Sequence, residues 1–386
     1  MNGPNLSSVD VVLSNRSEVA HLSPVIKELR EQSHDSVRII TIHEQGSSIK
    51  EMLNDLDISP DVCWTVRGTE ERHGLLLAEV YMLLNELWST APASWLMNYG
   101  YSKFTYPCVS AAFQNDVAVA HIHDSDSSVY ESRRRFRLEK IVSTISDAHF
   151  TTSVNIKNRL IAEGINEKEI YSVGSTIPDF GREVLGYRIL DQQVNTSFRE
   201  LINKTFDTFS RTKIVAFEID SSSENFRDFC SLITDHSDFR PDFKVILFST
   251  LEFDVSRNIK SCWNTQDTSI LSLSHWDRCF LFTKSFCVLS KSSETIDEAR
   301  AFGALGLLLG EQTKRFDLLS DGQVSLGGNQ PKEWLSRLKA LATKSVQERG
   351  SHSGQLPFRA SRLSASQQIT NAITNRTSEI AQKSRT

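Results

Sequence analysis

Residues 94–152 read SWLMNYGYSKFTYPCVSAAFQNDVAVAHIHDSDSSVYESRRRFRLEKIVSTISDAHFTT. The segment parses as strand, glycine turn, helix, strand, loop, helix, strand. Residues 94–98 and 117–121 are short apolar runs of strand length. Residues 106–115 between them are compact and carry Ala and Phe, as a crossover helix should. Two strands joined by such a helix form a right-handed parallel unit, with ligands bound where the strands end. Those ends are Asn98, Tyr99, Gly100 and Tyr101 after the first strand, and His121, Ile122, His123, Asp124 and Ser125 after the second. Chemistry is expected there.

Working outward, residues 9–13 form a first buried strand that runs through SNRSE into a helix from Glu18 to about Gln32. Val19, Leu22, Val25, Ile26 and Leu29 give that helix one apolar face, and Ser17 reads as its N-cap. Further strands are expected at 37–42, 63–66 and 170–173, with a helix at 153–163 closed by Gly164. Residues 74–87 are so apolar that burial against the sheet is expected. The pattern loosens between 178 and 212, then alternates again. Strands fall at 214–217, 245–249, 269–273, 287–290 and 305–309, and helices at 223–234, 294–302 and 331–343. The class is α/β, with two doubly wound Rossmann-like domains facing a cleft, the GT-B type. The expected boundaries are 1–180, a junction at 181–211, a second domain at 212–350, and 351–386 as a loop and docking helix.

At 386 residues the chain suits two domains, and its 39% apolar and 24% charged content lets each bury a core. A net charge of −5 leaves no nucleic-acid or membrane footprint, and the run Arg133-Arg134-Arg135-Phe136-Arg137 reads as a solvated helix face. The six cysteines form no CxxC pair and have no His at zinc spacing, so no metal site is expected. Most lie in apolar runs, which points to a reduced, cytoplasmic setting. The amino terminus lacks a basic region followed by an apolar run, and no stretch reaches bilayer length. A small molecule is the expected partner, with a homodimer left open.

Several segments, in order, resemble the UDP-N-acetylglucosamine 2-epimerase family from Val9 to about Ala340. SNRSEVAHLSPVIKEL is similar to that family's G-T-R-P-E-x-x-K-x-x-P opening, and VAVAHIHDS to its I-P-V-x-H-V-E-A-G. SDAHFTTSVNIKNRLIAEGINEKEIYSVGSTIPD resembles the A-D-x-H-F … G-N-T-x-x-D segment, and VLSKSSETIDEARAFG the T-D-S-G-G-x-Q-E-E-A-x-x-L-G segment. The resemblance implies a sugar nucleotide whose sugar loses and regains a proton while the nucleotide departs and returns.

The departures fall on charged positions. Arg16 and Glu18 match the family, but its lysine is His21. Its Gly-Asp is Gly100-Tyr101, its glutamate after the fifth strand is His123, and its paired glutamates and arginine fall near Arg135, Phe136 and Glu139. A histidine–arginine run becomes Asp220-Ser221-Ser222-Ser223, and a later histidine aligns near Leu251. The phosphate-cradling Ser-Gly-Gly becomes Ser292-Ser293-Glu294, where a carboxylate would oppose pyrophosphate. Glu298, matching a ribose-binding glutamate, and Arg315 remain.

Arg16, Tyr101 and His123 are therefore the candidate catalytic residues. Glu18, His21, Tyr99, His121, Asp124, Ser292, Ser293, Glu298 and Arg315 are the candidate binding residues. His121 reads as a structural cap on its strand, while His123 and Asp124 border the expected cleft. Ser292 and Ser293 lack the G-x-S-x-G turn of a nucleophile. With charges exchanged for Tyr, His and Phe, the expectation is loss of sugar epimerisation and a scaffold repurposed in specialised metabolism. The reaction expected is a cofactor-free cyclisation or Diels–Alder-type step on an apolar small molecule, in which the pocket folds the substrate and donates one hydrogen bond. The alternatives are a UDP-N-acetylglucosamine 2-epimerase or hydrolase with an altered site, and an inactive ligand-binding pseudoenzyme.

Overall fold

This computed structural model describes residues 8–32, 37–43, 49–67, 73–123, 133–186, 188–208, 213–219, 243–249, 269–313, 315–319, 322–348 and 363–383. The chain divides into two compact units, Met1–Phe180 with Lys314–Asp317 and Ala360–Thr386, and Gly181–Thr313 with Leu318–Arg359.

The first unit runs β1 (Val9–Leu13), α1 (Arg16–Gln32), β2 (Val37–His43), α2 (Ile49–Asp55), β3 (Val62–Thr65), α3 (His73–Thr90) and β4 (Trp95–Tyr99). It continues α4 (Thr105–Gln114), β5 (Ala118–His123), α5 (Arg133–Thr144), β6 (Ala148–Thr151), α6 (Val154–Ala162) and β7 (Ile170–Ser172). Its strands are all parallel, in the order β3-β2-β1-β4-β5-β6-β7. The order reverses between β1 and β4, which is the switch point where doubly wound sheets hold ligands.

The second unit contains most of α7 (Ile177–Gly186), then α8 (Ile189–Gln193), α9 (Thr196–Thr208), β8 (Lys213–Glu218), β9 (Phe243–Ser249) and β10 (Ser269–Ser272). There follow α10 (His275–Lys284), β11 (Cys287–Ser290), α11 (Ser293–Ala301), β12 (Leu305–Leu309), the short α12 (Phe316–Leu319), β13 (Val324–Gly328) and α13 (Pro331–Glu348). Its sheet has the order β10-β9-β8-β11-β12-β13 and is likewise parallel.

A parallel strand covered on both faces is buried along its length, and β1, VDVVL, is buried at every residue. Its Asp10 is enclosed because it is fully partnered. Arg38 donates Nε to Oδ1 at 2.9 Å and Nη2 to Oδ2 at 2.6 Å, and Trp88 donates Nε1 to Oδ2 at 2.7 Å. Removing one member of such a set leaves a buried charge without its partner.

Two expectations change. The helix expected at 74–87 is not enclosed, because Leu76, Val80, Leu84 and Trp88 form a single buried stripe at four-residue spacing. Met82, Leu75 and Leu77 on its other sides are exposed. The stretch expected as a junction, 181–211, holds the rest of α7 with α8 and α9, and belongs to the second unit. The helix expected at 223–234 lies outside the described residues. β13 was not anticipated, because its sequence VSLGG carries too little apolar character to read as a strand.

The terminal helix α14 (Ala365–Lys383) docks in the first unit, where Ile369 and Ile373 are fully buried. Polar anchors fix it. Trp95 Nε1 donates to Thr377 Oγ1 at 2.9 Å, Arg376 donates to Tyr171 Oη and to the Asp147 carbonyl, and Ser366 donates N–H and Oγ–H to Asp179 Oδ2. Thr377→Val strands the buried indole N–H and should cost about 1–3 kcal/mol. Urea unfolding should show a lower midpoint for Thr377→Val and a near-normal one for Thr377→Ser. Equal midpoints for the two variants would mean that the helix is not held there.

Candidate functional site

The site is built where β4, β5 and β6 end. Register places Asn98 beside His121 and His121 beside His149. Side chains two residues apart share a face, so Asn98, His121, His123 and His149 all project from one side of the sheet. That side carries α4 and α5, whose Val109, Ala112 and Val142 pack with Leu96 and Val119 from the same strands. Tyr99 points to the opposite side. The adjacent positions 98 and 99 therefore fall by parity into different clusters, while 98, 121 and 123 share one.

On the α4/α5 side a run of side chains is hydrogen-bonded end to end. Tyr101 Oη lies 3.3 Å from Ser143 Oγ and 3.1 Å from His123 Nδ1, and His123 Nε2 lies 3.1 Å from His149 Nδ1. His121 Nδ1 is 2.8 Å from Asn98 Oδ1, and its ring stands edge-on to His123 with centroids 4.4 Å apart. Tyr101 reaches this row because Gly100 turns the chain at φ 61°, a left-handed conformation that suits glycine, while its N–H still bonds the Ile122 carbonyl. His121, His123 and His149 are fully enclosed, whereas Tyr101 is partly exposed.

Burial holds these imidazoles neutral. It lowers His121 from 6.5 to about 3 and His149 from 6.5 to about 4, and pushes His123 well below 6.5, with neighbouring His and Arg charges adding to the effect on His121 and His123. A neutral imidazole offers one N–H and one lone pair.

On the other side, His21 of α1 stacks on Tyr99 with ring centroids 3.9 Å apart. Its Nε2 lies 2.8 Å from Tyr99 Oη and its Nδ1 3.0 Å from Thr176 Oγ1. Glu18 belongs to a third group. Its Oε2 accepts from Ser14 N and Oγ, while its own N–H is capped by Asn15 Oδ1. This is a capping-box arrangement at the start of α1, with Asn15 as cap where Ser17 was expected. Burial raises Glu18 to about 7. Arg16 opens α1 and is partly exposed, Arg315 is buried within the first unit, and Asp124 lies outside the described residues.

In the second unit, Ser292 caps α11 by accepting from Thr295 N at 3.2 Å, and its own N–H donates to Ser290 Oγ at 2.8 Å. Ser290 Oγ in turn bonds Glu218. Ser293 is partly exposed at the first position of α11, and Glu294 is exposed. The expected clash of Glu294 with a pyrophosphate is thereby weakened, since an exposed carboxylate is solvated and screened. Glu298 is buried and accepts from Arg278 at 2.6 Å, and Arg278 also reaches His275 Nδ1 at 3.2 Å. Burial keeps the Cys108 and Cys287 thiols protonated, which removes both as nucleophiles. Among the described residues no group of three His, Cys, Asp or Glu side chains is placed to hold a metal ion. No described helix is long and apolar enough to cross a membrane.

Sequence reasoning singled out Tyr101, His121 and His123 but not Ser143, His149 and Asn98 as their hydrogen-bond partners, nor Thr176 as the partner of His21. The signal for His149 and Asn98 was present: polar residues recur at one parity in three adjacent strands of otherwise apolar sequence.

Two parallel Rossmann-like sheets of this order define the GT-B class, and solved structures share the fold. UDP-GlcNAc 2-epimerase from Neisseria meningitidis, bound to UDP-GlcNAc, superposes with TM-score 0.78 at 17% identity, covering 96% of this chain and 100% of that one. The Methanocaldococcus jannaschii UDP-GlcNAc 2-epimerase in complex with UDP-GlcNAc and UDP gives TM-score 0.70 at 18% identity, over 95% and 99%. Residues 27–374 match the profile of the UDP-N-acetylglucosamine 2-epimerase family, and the chain belongs to that family. The UDP-N-acetylglucosamine 2-epimerase of Campylobacter jejuni is 20% identical over 333 residues, 82% of this chain and 85% of that one. The Neisseria meningitidis enzyme is 20% identical over 326 residues, 83% and 87%.

The neutral histidines make the first unit acid-sensitive. Each has a folded pKa below its unfolded value, so its contribution is present above about 6.5 and lost as pH falls toward the folded value. For His149, a change from 6.5 to about 4 corresponds to about 3 kcal/mol. Glu18 acts oppositely, stabilising below 4.5 and losing that contribution as pH rises through about 7, but it is one group against three. Unfolding free energy should therefore drop from about pH 6.5 to 5, with a shallower slope in His149→Gln. An unchanged slope in that variant would show that His149 is already protonated in the folded protein.

Proposed function

We propose that the protein acts on a UDP-N-acetylhexosamine, as a 2-epimerase or hydrolase in which a phenol and neutral imidazoles replace the carboxylates of its relatives. The observation that carries this reading is the run Ser143–Tyr101–His123–His149 at the ends of β4–β6. Tyr101 and His123 align with the aspartate and glutamate of the family pattern. Proton-handling side chains thus persist at the same strand ends with a changed chemistry.

Epimerisation at C2 of the sugar breaks its C–H bond and remakes it on the opposite face. A base takes the proton, the C–H electron pair forms a double bond to C1, and the C1–O bond breaks with its pair on UDP. Re-addition of UDP and return of a proton on the other face complete the change. Tyr101 is partly exposed and meets the sugar, whereas His123 is enclosed and acts through Tyr101. In the first unit Arg16 supplies a cation. In the second, Glu298, oriented by Arg278, falls at the ribose-binding glutamate of the family pattern. Free thiols at Cys63, Cys108, Cys279 and Cys287 suit a reducing, cytoplasmic setting.

One observation favours a second reading: the rings in the run are neutral. Such a surface also suits a cofactor-free cyclisation or Diels–Alder-type reaction of an apolar molecule in specialised metabolism. Tyr101 would then serve as the single hydrogen-bond donor.

Incubation with UDP-GlcNAc, followed by anion-exchange chromatography, should yield UDP-N-acetylmannosamine or released UDP. Tyr101→Phe should slow turnover roughly 10²–10⁴-fold, the usual contribution of one acid–base group. Calorimetry should show weaker UDP binding for Glu298→Gln. No UDP binding, together with thermal stabilisation by lipophilic polycyclic acids, would contradict the sugar-nucleotide reading and favour the second.

A further inference from the structure

The order of the second sheet reverses between β8 and β11, and a doubly wound domain takes its ligand at the carboxyl ends of the strands that flank such a reversal. Glu218 ends β8 and Ser290 ends β11, and Ser290 Oγ donates to Glu218 Oε2. From α10 and α11 come a guanidinium and a second carboxylate. Arg278 Nη2 donates to Glu298 Oε2 at 2.6 Å and to His275 Nδ1 at 3.2 Å, and Glu218 acts electrostatically on the same cation. Arg278 is only 7% exposed, and a guanidinium has five N–H donors to satisfy. Among the described residues both of its hydrogen bonds leave from the one nitrogen Nη2. Nε is buried and has no hydrogen-bond partner. Glu298 answers the charge of Arg278, but the donors on its other nitrogens are unused.

The charges around Arg278 decide what those donors suit. Glu218 and Glu298 already set two carboxylates beside one cation, so a phosphate or carboxylate would bring a third negative charge. A carbonyl oxygen accepts the same hydrogen bond and brings none. Glu298 falls at the ribose-binding glutamate of the family pattern, and Arg278 is bonded directly to it. The carbonyl therefore belongs to a part of the ligand close to the ribose. In a pyrimidine nucleoside the 2-carbonyl flanks the glycosidic nitrogen, whereas the 4-carbonyl sits across the ring. A purine carries only a ring nitrogen on that side.

We propose that Arg278 is a specificity-determining residue of the second unit, which donates one of its unused N–H groups to the 2-carbonyl of a pyrimidine nucleotide while its Nη2 holds Glu298 beside the ribose. Two acceptors on one nitrogen fix the plane of the guanidinium and so the direction of its other N–H groups. The proposal rests on the sugar-nucleotide reading above and adds what recognises the base. Uracil and cytosine share the 2-carbonyl, so this contact selects pyrimidine over purine and does not separate the two pyrimidines.

Calorimetry with UDP, 2-thio-UDP and 4-thio-UDP tests this on the unmodified protein, so the result does not depend on a variant folding. Sulfur is a weak acceptor. 2-Thio-UDP should therefore bind about ten- to a hundredfold more weakly than UDP, the usual effect of losing a hydrogen bond from a charged donor. 4-Thio-UDP should bind nearly as UDP does. Arg278→Lys keeps a cation for Glu298 but loses the outer N–H groups of the guanidinium. That variant should bind UDP and 2-thio-UDP alike, both at about the affinity of the unmodified protein for 2-thio-UDP. Equal affinity of the unmodified protein for UDP and 2-thio-UDP would overturn the proposal and leave the sugar-nucleotide reading standing. No binding of UDP at all would overturn both. The expected order of affinities without turnover of UDP-GlcNAc would keep the proposal and remove only the reaction assigned above.

Discussion

A histidine enclosed in a parallel sheet has to remain neutral and keep its ring hydrogen-bonded, and that constraint organises the ends of β4, β5 and β6. Charging such a ring inside an apolar layer is opposed by desolvation. His121, His123 and His149 obey the constraint with Asn98, Tyr101 and one another. The result is a polar seam inside the core with no formal charge on its rings. Among the described residues its outlet toward solvent is Tyr101, which Gly100 places just beyond the last residue of β4. The surrounding scaffold keeps the seam rigid. Val109, Ala112 and Val142 cover it from the helices, and α14 closes the unit from the chain's far end.

This seam explains how a family member can lose charged residues without losing its fold. A carboxylate at position 123 would need solvent or a cation, and the enclosed position offers neither in quantity. An imidazole fits there uncharged. His21 makes the same exchange on the opposite face, where the family has lysine. It stacks on Tyr99 and bonds Thr176 instead of carrying a charge into a layer that excludes water. In the second unit the pattern differs. Glu298 and Arg278 are both ionic and buried as a pair, and Ser292 takes over capping of α11 where the family has a glycine-bearing turn.

The strands were legible because buried parallel strands are continuous apolar runs, as in residues 9–13 and 117–121. The helix pattern also carried the terminal α14 from three isoleucines at low density. What sequence reasoning could not see was parity across strands. Tyr99 and Tyr101 look equivalent in the sequence, yet one enters the α1 face and the other joins the histidine row. Glu18 looked like a ligand-binding acid because the residues around it match a family motif, but the structure commits its carboxylate to Ser14 at a helix start. His149 lies beyond the loop that follows β5, and only the register of β5 with β6 brings it to His123. The burial of α3 was overstated because a largely apolar sequence hides which stripe is buried.

The central claim is that an uncharged phenol–imidazole run moves a proton at a sugar carbon. Incubating the protein with UDP-GlcNAc in deuterium oxide, and recovering the sugar nucleotide for nuclear magnetic resonance, tests it most directly. The account predicts deuterium at C2 of the hexosamine, and its loss in Tyr101→Phe. Recovery of UDP-GlcNAc with protium intact at C2, under conditions where UDP is shown to bind, would contradict it.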